Sequence, residues 1–431
     1  MTSTTTESSA TTPTSMLTFG GFAIPVKCRR IFITAQLEPS NGDPRIQPTG
    51  FPDLGPVLYA DPAEKLGLIC LIESEASMAN RLEDVCLANK YDGTLRDELQ
   101  GVPYITLTAD GKRTGEFKTA STIDGHRFAS EYIMCGHVQA GKELTGIQTK
   151  SAEAVAPATG KKKAVKEPKT GTEKPEFVRF VQSYMGMTTK DRCPAANVPR
   201  MFSLAMEYDP LSLLHGFQIS VKDKLTFVGL RSPRAITASI LGLNCQRITV
   251  PGVRLDPIGT GDAGQAIFQK QRVSAKNIEA RFCIDVGLLA SMTLDCGDTE
   301  GTEKVSEPSL QEPRLKLLLA IAMAKIAWLL LELKTGLRLR TDCDLRLVMD
   351  GTRYWTDRID GLGTAFDFKA IASASKSLPE LVKQCGLDPN RSPFVLKHVV
   401  SKKKDAKSLD EDVTEADDDE GATSDAEDSG E

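Results

Sequence analysis

Apolar residues alternate with polar ones over residues 29–37, where Ile31, Ile33, Ala35 and Leu37 fall on one side of an extended chain. This spacing predicts a strand, and the same reasoning places strands at 67–72 and 104–108, with a Pro/Gly-rich loop from 38 to 55. Helical spacing is read at 76–88 and 122–134. Further on, strands are expected at 201–208, 217–221, 281–286 and 346–349, and a helix at 235–241. The longest apolar run lies in 311–335, a predicted helix with Pro313 in its first turn and Gly336 as its stop. Lys325 and Glu332 interrupt that run, so it predicts a buried core helix rather than a bilayer span. Strands and helices in this irregular alternation define an α+β class with long insertions.

Composition sharpens the domain picture. Residues 1–15 are a Ser/Thr tail without the basic and apolar regions of a secretory signal, which predicts a cytoplasmic protein with no membrane role. Residues 150–175 carry seven lysines and no aromatic, and are expected to be a linker or basic loop between 16–149 and 176–400. The stretch 401–431 is read as a disordered acidic tail. Residues 408–431 hold twelve acidic and no basic side chains, so the net charge of −5 hides a body of +7. A mildly basic body permits a polyanionic partner without requiring one. The ten cysteines are never closer than thirteen positions, which excludes CxxC redox and metal-knuckle motifs and predicts reduced thiols.

Catalytic signatures are weak. Gly259, Gly261 and Gly264 match GxGxxG, with Asp285 about where a ribose-binding acid would stand. Pro251 and Pro257 spoil the strand that should precede such a loop, so a nucleotide- or dinucleotide-binding enzyme stands only as the alternative. Ser212 and His215 near Asp209 lack a nucleophile elbow, and Asp342, Cys343 and Asp344 lack a histidine at ligand spacing. The expectation is therefore a non-enzyme with no cofactor and no metal.

Six collinear segments carry a family resemblance: RIQPTGFPDLGP from Arg45, ASMANRLE from Ala76, TASTIDGHRFASEYI from Thr119, YDPLSLLHG from Tyr208, RSPRAI from Arg231 and LRLRTDCDL from Leu337. Together they resemble the Cascade backbone (Cas-seven) family of CRISPR subtype I-G, formerly I-U. Asp124 and Leu211 depart from the pattern, which has Glu before Ala-His-Arg in the Thr119 segment and Asn at the Leu211 position of YDPLSLLHG. The resemblance implies an RNA-recognition-motif-like (ferredoxin-like) palm with inserted thumb and finger elements. It also implies copies stacked head to tail along a guide RNA whose bases pair with target DNA. Its other implied partners are a large subunit, a fused repeat-processing cap subunit and, indirectly, a recruited helicase-nuclease.

Such a subunit must hold RNA of any sequence, through phosphate and ribose. The expected phosphate ligands are Arg45, Arg81, Arg127, Arg231 and Arg234. Gln47, Asn80, Ser130 and His126 are the expected hydrogen-bonding partners, and His126 and His215 are read either as contacts or as loop-fixing residues. Replacing Arg127 and Arg234 by Ala is expected to weaken RNA binding without unfolding the protein.

Overall fold

Alternation in the sequence becomes a two-faced sheet. The computed structural model describes residues 16–25, 27–46, 48, 50–51, 55–138, 176–186, 197–219, 230–248, 253–254, 267–268, 272–292, 310–338 and 344–398. All of them belong to one compact unit; a second unit, 157–173 with 399–431, lies outside these residues, as do both tails and the expected linker.

The central sheet has eight strands: β1 Arg30–Pro39, β2 Leu58–Ala60, β3 Leu68–Glu73, β4 Ile236–Leu243, β5 Asn277–Asp285, β6 Leu337–Arg338, β7 Asp344–Thr356 and β8 Thr364–Ala365. Across the sheet they run β6-β7-β1-β5-β4-β3-β2, with β8 paired to β7. Every pairing is antiparallel. The four longest, β1, β4, β5 and β7, therefore stand across the sheet as fourth, first, third and second in chain order. The protein is of the α+β class.

One face of these strands is closed. Ile31, Ile33 and Ala35 of β1 and Ala280, Phe282 and Ile284 of β5 are buried, while the residues alternating with them are half-buried. The helices α1 Glu75–Asp84, α2 Glu131–Met134, α3 Glu176–Tyr184, α4 Val198–Tyr208, α5 Pro210–His215, α6 Val286–Met292, α7 Gln311–Thr335, α8 Phe368–Ala374 and α9 Leu378–Gln384 complete the body. The 25-residue α7 forms at the expected bounds and is buried nearly all round, packing against β7, α1, α5, α6, α8 and α9. Among the described residues no helix is long and apolar enough to cross a membrane. A smaller sheet sets Ile105–Thr108 between Phe117–Ala120 and the late strand Phe394–Lys397, tying the end of the body to its first half.

Two expected elements form with the opposite structure. Residues 201–208 are not a strand but part of α4, because Met201, Leu204, Ala205 and Tyr208 recur at helical spacing and bury together. Asn197 caps that helix by accepting from the Arg200 N–H at 3.2 Å. Residues 235–241 are not a helix but lie in β4, whose Ile236, Ala238 and Ile240 alternate inward between β5 and β3. The expected helix at 122–134 shrinks to a short helical turn, Arg127–Ala129, followed by α2. The expected strand at 346–349 is one part of the thirteen-residue β7.

Candidate nucleic-acid interface

The segment 119–130 is organised by Asp124. Its carboxylate accepts from the His126 N–H at 3.0 Å and from the Ser130 hydroxyl at 2.7 Å, fixing a tight turn. The turn forces Arg127 into a left-handed backbone, φ 57°, and sends its side chain inward. There Nε donates to Glu83 of α1 at 2.6 Å, and one Nη donates to the Gly216 carbonyl at 2.8 Å and to that of Gly125 at 3.2 Å. Arg127 is a tether joining three segments, with its guanidinium satisfied by protein.

Gly216 follows α5 with φ 72°, and a Cβ there would fall 2.6 Å from the Ser232 carbonyl oxygen and 3.0 Å from the Arg234 nitrogen. Only glycine lets the chain leaving α5 pass this close to 232–234. The hairpin Phe217–Ile219 with Leu230–Ser232 places Arg231 opposite Gln218, and both Arg231 and Arg234 are exposed. Exposed His126 adjoins the tether from the other side. Asn80, exposed one turn before Glu83, shares that face of α1. Four of the six motif segments therefore converge here, with Asn80, His126, Arg231 and Arg234 outside and Arg127 beneath.

Other candidates fall elsewhere. Arg81 donates to Glu73 at 2.9 Å, a carboxylate that is itself buried. Ser130 is buried and committed to Asp124. Arg45 is exposed on the strand Arg45–Ile46, which pairs with Arg272–Ser274 and through it with Gln246–Ile248. Its Nε donates to Asp43 at 2.6 Å, and this hydrogen bond is the main reason the Asp43 carboxyl sits below its usual range. Arg247, which the sequence patterns did not single out, is exposed on the same small sheet. This arm follows the far end of β4 from Arg234, and eight strand residues separate the two basic regions by roughly 26 Å. Gln47, the glycines of 259–264, Asp342 and Cys343 lie outside the described residues.

His215 lies inside. Its Nε2 accepts from the Lys325 ammonium at 2.7 Å, and both side chains are buried. Burial first, and then the fields of Lys325, Arg127 and Arg234, hold the His215 ring well below its usual pKa, so it stays neutral. Ser212 donates to Asp209 at 2.5 Å rather than facing His215, so the three residues do not form a nucleophile-base relay. Burial pushes the Asp209 carboxyl up, opposed by bonds from Ser212 and Ser121. Leu211 helps line a cavity of about 10 Å³ with Glu83, Cys86, Arg127, Asp209 and Lys325. Lys325 was visible in the sequence as the lone cation inside an apolar helix, a signal that calls for a buried partner.

A large antiparallel sheet backed by helices, with basic side chains on connected loops and no group of three metal-ligating side chains among the described residues, defines an α+β protein with a basic surface cluster. The family model for CRISPR-associated protein GSU0053 matches residues 31–247, half of the chain. The chain belongs to that family, and so has a role in CRISPR defence. No curated protein matches it.

Proposed function

We propose that the protein is a guide-RNA-binding backbone subunit of a type I CRISPR interference complex, of the subtype I-G kind that its motifs resemble. The observation that carries the reading is the convergence of four motif segments on one surface, where His126, Arg231 and Arg234 stand exposed over the Arg127 tether. Guanidinium and imidazole groups on rigid turns suit phosphate and ribose, which any spacer presents alike. The order of the four long strands is that of a split βαβ palm, which supports the RNA-recognition-like fold, and the small sheet carrying Arg45 and Arg247 extends beyond it as an arm.

In this reading copies stack head to tail on the guide, its bases pair with target DNA, and the chain performs no chemistry and needs no cofactor. A large subunit, a cap subunit that processes the repeat and a recruited helicase-nuclease supply the rest, in the cytoplasm. The test is to purify the chain from cells that also supply a guide array and the partner subunits, then extract and sequence co-purifying RNA at two salt concentrations. Spacer RNA of uniform length in a multi-copy particle is the expected result; a monomer free of nucleic acid would refute it.

A further inference from the structure

Beneath the exposed basic cluster the interior holds polar groups that the Arg127 tether does not satisfy. Lys325 is fully buried in α7, and a buried ammonium needs a partner for each of its three protons. One goes to the His215 Nε2 at 2.7 Å. Another meets the Cys86 sulfur, whose own S–H donates to the Leu82 carbonyl at 3.6 Å. The third has no partner among the described residues.

Asp209 has the complementary need. It is 1% exposed, at the junction of α4 and α5, and its Oδ2 accepts from the Ser212 hydroxyl at 2.5 Å. Its Oδ1 is buried without a hydrogen bond, which native interiors seldom tolerate. Asp209 and Lys325 make no direct ion pair, yet both line the cavity of about 10 Å³, together with Ser121, Thr122 and Ser212. One water needs roughly 10–15 Å³ by this measure, so nothing larger fits. An anion there would face the Asp209 carboxyl, and a cation would face the Lys325 ammonium and the Arg127 guanidinium. The occupant that suits both walls is neutral, and carries a donor as well as an acceptor.

We propose that this cavity is a binding site for a single internal water, which accepts from the Lys325 ammonium and donates to Asp209 Oδ1. Its second proton turns to a hydroxyl oxygen of the lining, completing the two to four polar partners that a buried water requires. The water joins two separate sets of bonds, His215 with Lys325 and Asp209 with Ser212, into one network across the interior. Asp209 precedes α5, and the Leu214 carbonyl near the end of that helix accepts from the Ala235 N–H at 3.0 Å, one residue after Arg234. The bridge therefore holds α5, and with it the chain that presents Arg234, against α7. This role is independent of what the basic cluster binds.

Crystals of the full chain that diffract well enough to show ordered waters should reveal one peak within roughly 2.6–3.2 Å of both Lys325 Nζ and Asp209 Oδ1. In solution, oxygen-17 magnetic relaxation dispersion counts long-lived internal waters. Leu211→Gln extends an amide into the cavity from its lining and should lower that count by one. If that variant does not fold, Lys325→Met combined with His215→Leu removes the donor and should lose the same water. Density that places Nζ and Oδ1 in direct contact, or a count of long-lived waters unchanged in a folded variant of either kind, would overturn the site.

Discussion

The Lys325–His215 pair allows the sharpest test of what holds the interior together. Both side chains are buried and meet at 2.7 Å, so removing either strands the other. Lys325→Met keeps the shape but leaves the His215 Nε2 acceptor without its donor, a loss of about 1–3 kcal/mol. His215→Leu instead leaves an ammonium buried without its acceptor, and should cost about 3–5 kcal/mol. The double variant replaces both by apolar groups and should be more stable than the summed single losses imply, with a coupling of about 1–3 kcal/mol. Urea unfolding followed by tryptophan emission reads all four corners of the cycle. The pair also has a pH signature. The folded ring is held below its usual pKa, so unfolding takes up a proton and stability falls as pH drops below about 6.5, by at most about 1.4 kcal/mol per unit. The double variant should lose that share of the slope. Strict additivity of the two substitutions, or an unchanged slope between pH 6.5 and 5, would refute the reasoning.

Arg127→Ala should destabilise the fold by about 3 kcal/mol or more, because it strands Glu83 and the Gly216 carbonyl, so the expectation that it leaves the protein intact does not survive the geometry; calorimetry decides. Arg231→Ala with Arg234→Ala should leave the melting temperature alone, weaken RNA binding equally for all spacers, and reduce the salt slope by about 0.7 for each phosphate no longer neutralised; filter binding at several salt concentrations checks it, and spacer-selective weakening would contradict the backbone role. Gly216→Ala should be among the most damaging single changes, since its Cβ would meet the Ser232 carbonyl at 2.6 Å in a left-handed backbone, and should lower both the melting temperature and RNA retention. Asp209→Asn should be tolerated, because burial favours the neutral carboxyl and an amide oxygen still accepts from Ser212; the raised folded pKa gives stability present below about 3.8 and lost as pH rises, and the variant should lack that trend in acid unfolding.

Much of this protein was written in local patterns. The alternation of Ile31, Ile33, Ala35 and Leu37 needs no partner to be recognised, and it set both the strand and which face would be inside. The apolar run closed by Gly336 set α7, and Lys325 within it announced a buried partner without naming it. The mixed order of elements set the α+β class, and the motifs pointed to the family. Where two periods compete over a short segment the pattern fails: 201–208 and 235–241 exchanged helix for strand, because their outcome depended on what packed against them.

Which arginines are free was decided only in three dimensions. In the sequence Arg127 and Arg234 are equivalent cations beside turns. In the fold one is drawn inward by Glu83 and a left-handed turn, and the other stands in solvent. The neighbours Phe32 and Trp355 are 323 positions apart and became a pair through the register of β1 and β7. A side chain's type is a property of its position in the chain, but its solvation and its partners belong to distant segments brought together. Those pairings, Glu83 with Arg127 and His215 with Lys325, form only when the helices close over the sheet.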